Sequence, residues 1–390
     1  MKKYILLPLF LMVFAINGFS IDGLIVATKD YTFMDKWSKI KSNDGPTLVG
    51  SDTIFKNQYF YIVVPFSHYD MKDDGMVDIS LSIKVVKPNG KEAFSEGIAD
   101  FYKHKNTPKD MVLIGDAVLK ISFEDVDEFG EYKIYAKITD NISGKTKELN
   151  SKINLVELPK YSDFVVKNDK ELGKWLSFYY TKLEPEKALS NFIYFTKSSI
   201  AKKNRLSLHI AEFFLEIFKN NTFLYPDILE ALKNEKGYAR NMLLFLISNL
   251  DIDENLFINE LTKDEKESYL KFKKSPIPNP YEEIMHPMQL DMLWTNFMAS
   301  GSYKPILKLI QTLDYVEYDG ALKTYKNKNN KTQNDKKNAL YNAIYGSLVW
   351  SLKSNMQQHK LVKQYMEWAY AHENLNDVQK RELGKILEVR

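Results

Sequence analysis

The spacing of hydrophobic residues changes near the middle of this chain. Between residues 21 and 158, apolar residues come in short alternating runs, for example at 59–66 and 77–86, and turn-forming residues such as Pro88-Asn89-Gly90 separate the runs. Alternation places successive side chains on opposite faces of a strand. This half is therefore predicted to form several short strands arranged as a sandwich or a barrel.

From residue 159 onward the apolar positions recur every three to four residues, which is the spacing of an amphipathic helix. Helices of this length, joined by short turns, pair into antiparallel hairpins. We predict an all-α domain of stacked hairpins in the form of an irregular α-solenoid, with a compact bundle as the alternative. The stretch at about 320–335 is rich in lysine and asparagine and is predicted to be a flexible loop or a frayed helix start.

The best-delimited helical hairpin lies at residues 275–313. Three prolines at 276, 278 and 280 prevent a helix before it, Pro287 suits the first turn of a new helix, and Gly301 stands at a left-handed C-cap position. An apolar stripe runs between them, at Leu290, Leu293, Trp294 and Phe297. We interpret this hairpin as a break between two groups of hairpins. The predicted partner-binding residues are the polar residues beside the stripe, Asp291, Thr295 and Asn296.

A short motif sharpens the fold prediction for the first half. Residues 128–134 read Glu-Phe-Gly-Glu-Tyr-Lys-Ile. This segment resembles the tyrosine corner of immunoglobulin-like domains, in which the tyrosine hydroxyl bonds to backbone a few residues upstream. The resemblance implies an immunoglobulin-like β-sandwich, with Ile134 in the core position that often holds cysteine. It implies nothing about function.

The first twenty residues predict export from the cell. Lys2 and Lys3 precede an apolar run at 4–16, and small residues follow at Gly18 and Ser20, which together indicate a cleavable signal peptide. The run is too short to cross a bilayer, and no later run is longer, so no membrane span is expected in the mature chain. The predicted domains are a signal peptide at 1–20, an immunoglobulin-like sandwich at 21–158 and an all-helical domain at 159–390.

The amino-acid usage narrows the location further. There is no cysteine, so disulfides and thiolate chemistry are excluded, and the cores alone must hold the exported protein together. The abundance of lysine, asparagine and tyrosine indicates a bacterial protein of the periplasm or the exterior. The net charge of +3 is small for 390 residues, which argues against nucleic acid as the main partner.

One acidic loop in the first half is a candidate calcium site. Four aspartates surround Gly75 between two predicted strands, and oxygen ligands on a loop suit this ion: Asp70, Asp73, Asp74 and Asp78. Their register does not match an EF-hand, because leucine occupies its twelfth position, at Leu81. The alternative interpretation is a solvated loop without an ion. No other cofactor is expected.

The sequence lacks the common catalytic signatures. It has no H-E-x-x-H zinc motif, no G-x-S-x-G nucleophile elbow and no complete phosphate-binding loop. Helical hairpins and sandwiches are both architectures that bind partners, so we predict a non-enzymatic interaction or scaffold protein with a protein or peptide partner. One alternative is an envelope hydrolase that acts on glycan or peptide through dispersed carboxylates. Another is a secreted adhesin or effector.

Overall fold

The computed structural model describes residues 20–40, 48–198, 201 and 208–389. Apart from Ser20, the predicted signal peptide at 1–20 lies outside the described residues. The predicted order of a β-sheet region followed by a helical half is confirmed. All eleven described strands end before residue 156, and only one of the thirteen described α-helices precedes residue 160. None of the described helices is long and apolar enough to cross a membrane.

The strands form three sheets, with the orders β1-β5-β8, β3-β11-β10-β6-β7 and β2-β4-β9. Their bounds are β1 Asp22–Gly23, β2 Val26–Thr28, β3 Thr53–Ile54, β4 Phe60–Val63, β5 Pro65–Ser67, β6 Val77–Val86, β7 Glu92–His104, β8 Leu113–Ile114, β9 Leu119–Ile121, β10 Gly130–Asp140 and β11 Thr146–Leu155. Strand β6 pairs antiparallel with both β7 and β10. Its alternation matches the prediction, because every second residue from Val77 to Val85 is buried.

The thirteen helices include most of the second half of the chain. Their bounds are α1 Phe33–Lys39, α2 Asp169–Phe178, α3 Ala188–Lys197, α4 Leu208–Lys219, α5 Tyr225–Asn234, α6 Gly237–Ile247, α7 Lys263–Lys274, α8 Pro287–Ser300, α9 Tyr303–Gln311, α10 Ala321–Asn327, α11 Gln333–Gln358, α12 Lys360–His372 and α13 Asp377–Leu387. Short 3-10 turns connect several of them.

The chain forms two compact units, and neither is a continuous stretch of sequence. Of the described residues, unit 1 comprises 20–25, 63–118 and 133–152, and unit 2 comprises those at 26–62, 119–132 and 153–389. The predicted domain boundary at 158/159 stays a prediction. Within unit 2, the helices share their core with a segment that lies more than one hundred residues earlier in the chain.

The hydrogen bond expected from the tyrosine-corner resemblance is present in unit 2. The hydroxyl of Tyr132 donates to the backbone oxygen of Glu128 at 3.0 Å, and its ring is fully buried. The ring lies 4.3 Å from that of Phe123, centroid to centroid. This bond fixes the chain at the entry to β10.

Of the two alternatives for the stretch at about 320–335, the flexible loop is wrong for most of its length, and a helix start is present instead. Helix α10 spans Ala321–Asn327, and α11 begins at Gln333, so only Gly320 and residues 328–332 of this stretch are outside a helix. Thr332 and Asp335 form a capping box, in which each side chain accepts from the backbone nitrogen of the other. The carboxylate of Asp335 also binds Lys328 at 2.7 Å. Local capping therefore stabilises a helix start despite the polar composition.

Helix α8 lies between two groups of helices, as the hairpin at 275–313 predicts. The four stripe residues are all buried in a cluster shared with α9, α11, α12 and α13: Leu290, Leu293, Trp294 and Phe297. Ala299 on the same helix belongs instead to a cluster formed mainly by α3 to α7. Helix α8 also packs along α4. It ends at Gly301, whose φ of 68° is the predicted left-handed cap.

Helix α1 packs against the turn between α8 and α9. Asp35 accepts from the hydroxyl of Ser302 at 3.0 Å and from the backbone nitrogen of Tyr303 at 3.2 Å. Lys36 points into the interior, where its ammonium group binds Asp30 at 2.5 Å and both side chains are buried. Because the pair is shielded from water, neither partner is replaceable without leaving a buried charge.

We predict that Gly301→Ala destabilises the protein by at least about 2 kcal/mol, since alanine is strained at this positive φ and its Cβ would lie 2.9 Å from Cε of Lys36. The matched control is Gly320→Ala. Its φ is 79° but nothing lies within 4 Å of an added Cβ, so a loss of about 1 kcal/mol is expected there. Urea unfolding of both variants measures the difference. If both variants lost the same free energy of unfolding, the close contact between Gly301 and Lys36 would make no contribution to stability.

Candidate functional site

Unit 2 contains a cleft of about 680 Å³ between α4, α8, the proline-rich turn and the segment before α1. Its walls are Tyr31, Thr32, Glu212, Leu215, Glu216, Lys219, Ser248, Asn249, Pro276, Ile277, Pro278, Asn279, Pro280, Tyr281, Asn296, Ser302 and Lys304. The volume is in the range typical of small-ligand sites. Polar and ionisable side chains from distant parts of the chain therefore meet at one surface.

Helix α4 supplies the two carboxyl groups of the cleft. Its sequence, Leu-His-Ile-Ala-Glu-Phe-Phe-Leu-Glu-Ile-Phe-Lys, is apolar except for a few positions. Glu212 and Glu216 are four residues apart, so they project from the same face one turn apart. Glu212 is only 8% exposed, whereas Glu216 is half-buried. Acids in such an apolar helix are costly to bury, which is a signal that the sequence itself carries.

Asn296 on α8 connects the two carboxyl groups. Its amide nitrogen donates to Glu212 Oε1 at 3.2 Å and to Glu216 Oε2 at 3.0 Å. The hydroxyl of Tyr281 donates to the amide oxygen of Asn296 at 2.9 Å, which fixes the orientation of the amide. Asn296 is 5% exposed and has no freedom to turn away. The amide nitrogen of Asn296 is thus a hydrogen-bond donor that the two acids share.

Glu216 has more hydrogen-bond donors around it than Glu212 has. Besides Asn296, it accepts from the hydroxyl of Tyr31 at 2.7 Å and from the amide of Asn220 at 3.1 Å. Tyr31 comes from the segment before α1, so this bond connects that segment to α4. The two acids therefore lie side by side in unlike surroundings.

Burial shifts the protonation equilibria in the cleft. It raises the pKa of Glu212, an effect that the Coulombic attraction of Lys219 opposes. Burial also raises the pKa of Tyr31, with the neighbouring Glu216 as a further cause, and burial raises the pKa of Tyr281. Both phenols consequently remain protonated donors at neutral pH.

The carboxyl groups of the cleft form no ion pair with a described residue. Among the residues that the structure describes, no lysine, arginine or histidine lies within ion-pair distance of either Glu212 or Glu216. Two lysines stand at the rim, and the ammonium group of Lys304 lies 4.2 Å above the ring of Tyr281. A buried acid with a shifted pKa in a cleft is the pattern of a functional site.

The proline-rich turn forms one wall of the cleft. The backbone nitrogen of Ile277 donates to the amide oxygen of Asn249 at 3.2 Å, and the amide nitrogen of Asn249 donates to the backbone of Phe245 at 2.9 Å. These bonds attach the turn to the end of α6. Because proline lacks an amide hydrogen, this wall offers few donors of its own and is largely rigid.

The three predicted partner-binding residues are not brought together. Asn296 lines the cleft, but Thr295 and Asp291 do not. The hydroxyl of Thr295 donates to the backbone oxygen of Asp291 at 3.1 Å, so Thr295 is used within α8. The residues absent from the sequence-based prediction are Glu212, Glu216, Tyr31 and Tyr281. A pair of acids four residues apart in an apolar helix was the available signal for two of them.

The four aspartates of the predicted calcium site, all in unit 1, also do not converge. Asp70 binds Lys145 at 3.0 Å, Asp74 binds Lys105 at 3.2 Å, and Asp78 binds Lys103 at 3.2 Å, while Asp73 is exposed. In the described parts of the chain, no three acids or histidines are grouped so that they could hold a metal ion. Each of the three paired carboxylates therefore has a separate lysine as its counter-ion.

Hydrogen bonds lower the pKa of these paired aspartates. The main cause is the bond from Lys145 for Asp70, the bond from Lys105 for Asp74, and the amide of Asn141 for Asp78. The groups are solvated, so the pairs add little to stability.

Comparison with known proteins gives no family assignment. No family model matches the chain, and no curated protein matches it. Among solved structures, the CARDB domain of a Pyrococcus furiosus protein is 10% identical, with 35% of this chain and 90% of that chain covered and a TM-score of 0.20. A family 123 glycoside hydrolase from Clostridium perfringens is 12% identical over 46% of this chain and 35% of that chain, with a TM-score of 0.20. At these scores the similarities carry no argument about fold or function.

We predict that Glu212→Gln stabilises the protein at neutral pH. Glutamine keeps the oxygen that accepts from Asn296 and removes the buried charge. Since burial raises the pKa of Glu212 above its ordinary value of 4.5, the wild type loses stability as the pH rises above that value and Glu212 ionises. We expect the variant to gain about 1 kcal/mol near pH 7 and nothing near pH 4.

Urea unfolding across this pH range measures the effect. The control is Glu230→Gln, which removes one exposed carboxylate from α5 outside the cleft and should change stability little at any pH. A Glu212→Gln variant that is less stable than the wild type at pH 7 would contradict the prediction.

Proposed function

We propose that this protein is an exported bacterial interaction protein that holds a basic side chain of a partner protein or peptide in the cleft of unit 2. The observation that carries the proposal is the pair of carboxyl groups, Glu212 and Glu216, which face the cleft and form no ion pair with a described residue. Such a pair destabilises the free protein and is compensated when a cation arrives.

A guanidinium group suits this pair better than a simple ammonium group. Its planar fork offers several donors, so it can bind Oε2 of Glu212, which accepts no hydrogen bond from a described residue, and a remaining lone pair of Glu216 at once. The rings of Tyr31 and Tyr281 lie beside the acids and add faces on which a planar cation can stack. The rim lysines, Lys219 and Lys304, repel ligands with a high density of positive charge. A single arginine in an otherwise neutral segment is the best match.

Two further parts of the proposal, export from the cell and the sandwich fold of the first half, rest on the amino-acid sequence. The signal peptide at 1–20 places the mature protein in the periplasm or outside the cell, and the first half acts as an immunoglobulin-like sandwich. The hydrogen bond from Tyr132 to Glu128 supports the immunoglobulin-like fold, because it is the bond of a tyrosine corner.

The test is a titration with the peptide acetyl-Gly-Arg-Gly-amide, followed by calorimetry. The matched ligand is the same peptide with citrulline, which is neutral and has nearly the same shape. We expect the arginine peptide to bind at least tenfold more tightly, and Glu216→Gln to remove that preference, because one charge-assisted pair is lost.

Glu230→Gln serves as the control variant, since it changes the net charge equally but lies outside the cleft. It should bind the arginine peptide as the wild type does. Equal binding of the arginine and citrulline peptides would refute the proposal, as would an equal loss of affinity in Glu216→Gln and Glu230→Gln.

A second candidate function is hydrolysis of a glycan or a peptide. It is favoured by the unlike surroundings of the two acids: burial raises the pKa of Glu212, while Glu216 accepts hydrogen bonds from Tyr31, Asn220 and Asn296. Paired carboxyl groups with separated protonation are the usual arrangement for general acid catalysis. Glu212 would protonate the leaving group, and Glu216 would act as the nucleophile or base.

This second function predicts turnover of N-acetylglucosamine oligosaccharides or of casein peptides. Product release should fall at least a hundredfold in both Glu212→Gln and Glu216→Gln, and remain unchanged in Glu230→Gln. Chromatography of the products measures it. Activity that survives in Glu212→Gln would rule out the acid role, and binding of the arginine peptide without any turnover would favour the first proposal.

A further inference from the structure

Unit 2 has a second groove, of about 510 Å³, between the segment at 163–166, α2 and the start of α3. It is lined by Asp163, Phe164, Val165, Val166, Glu171, Lys174, Trp175, Phe178, Tyr179, Thr181, Lys182, Glu184, Lys187, Ser190 and Asn191. None of these residues lines the cleft that contains Glu212 and Glu216. The groove is therefore a separate feature of the same unit.

The groove contains buried polar groups without a partner. The hydroxyl of Ser190, a residue 9% exposed, and the indole nitrogen of Trp175 make no hydrogen bond within the described part of the chain. Asn191, next to Ser190, is 5% exposed; its amide forms no hydrogen bond to a described residue, but unlike the other two groups it keeps some contact with solvent. Nearly all buried polar groups in folded proteins are paired, so the groups of Ser190 and Trp175 in one groove point to a missing partner.

The other walls of the groove are apolar and partly open to solvent. Val165 is 79% exposed and the ring of Phe178 is 40% exposed. The ring of Trp175 is held in place by Tyr179 and Phe213, whose centroids lie 5.0 and 5.6 Å away. Exposed apolar side chains next to unpaired polar groups are typical of a surface that a ligand covers.

The charges around the groove balance one another. Lys182 and Lys187 both bind the carboxylate of Glu184, at 2.7 and 2.8 Å. Lys174 is offset by Glu171 and Asp163 among the lining residues. A strongly charged ligand gains little from such a rim, so the missing partner is neutral overall.

We propose that this groove binds a short, uncharged, apolar segment of a partner polypeptide in an extended conformation. The amide of Asn191 offers one donor and one acceptor side by side, which matches the backbone N–H and C=O of a peptide. The hydroxyl of Ser190 and the indole N–H of Trp175 supply further groups for backbone atoms, and apolar side chains of the segment cover Val165 and Phe178. The site adds a second contact to the proposed partner-binding function but does not depend on the Glu212–Glu216 cleft.

The probe is the blocked peptide acetyl-Gly-Val-Leu-Val-Gly-amide, titrated into protein labelled with nitrogen-15 at its five tryptophans. The variant Trp175→Phe identifies the indole signal of Trp175. We expect that signal to shift saturably with the peptide. The matched ligand, with proline in place of leucine, lacks the central N–H and should need at least a tenfold higher concentration.

Two variants separate ligand binding from a structural role. Asn191→Leu keeps the volume and should weaken peptide binding at least tenfold without lowering the melting temperature, because no hydrogen bond of the protein is lost. Asn249→Leu removes an amide with several protein partners and should lower the melting temperature. Ser177→Ala on α2, outside the groove, should leave peptide binding unchanged.

Three results would overturn this inference. They are an indole signal that does not move with the leucine peptide, equal responses to the leucine and proline peptides, or a shift caused by an N-acetylglucosamine tetramer and not by the peptide. A lower melting temperature in Asn191→Leu would assign that residue a structural role instead. Failure of the arginine peptide at the other cleft has no bearing on these outcomes, since the probes and the residues differ.

Discussion

The contact between the buried Asp30–Lys36 ion pair and the turn at Gly301 holds the centre of unit 2 together. Lys36 passes so close to Gly301 that no larger residue fits there without displacement. The backbone oxygen of Gly301 accepts from the buried hydroxyl of Tyr365 on α12 at 2.9 Å, and the backbone oxygen of Ser300 accepts from Thr32 at 2.7 Å. Helices α1, α8, α9 and α12 are therefore attached at one turn, and a change at Gly301 affects all four.

The contacts at this turn also position the residues of the Glu212–Glu216 cleft. Because Thr32 is attached to the end of α8, the preceding residue, Tyr31, reaches Glu216 on α4. Asn296, one turn before the end of α8, reaches both acids from the other side. The cleft thus depends on the docking of a segment that belongs to the β-rich first half of the sequence. Its polar network is also why two acids can be buried in an otherwise apolar helix.

The cleft and the groove of unit 2 share one physical property. In each, polar groups lack a compensating partner among the described residues: Glu212 and Glu216 have no cation within ion-pair distance, and Ser190 and Trp175 have no hydrogen-bond partner. Folding alone gives no reason to keep such groups, since hydrogen-bonded or apolar replacements would be more stable. Retaining them is explained if a ligand supplies the partner, and this is the physical basis of both proposals.

The sequence by itself determined the properties that depend on neighbouring residues. The change of hydrophobic period separates strands from helices, and Pro287, Gly301 and the stripe through Trp294 define α8, because each of these signals acts within a few turns of backbone. Tertiary structure decided which distant residues meet. The four aspartates around Gly75 are close in sequence, but three of them bind separate lysines and the fourth is exposed, whereas Tyr31, Glu216 and Asn296 are far apart and form one site. Periodicity gives the buried face of an element but not the element that covers it, so only the folded chain brought these residues together.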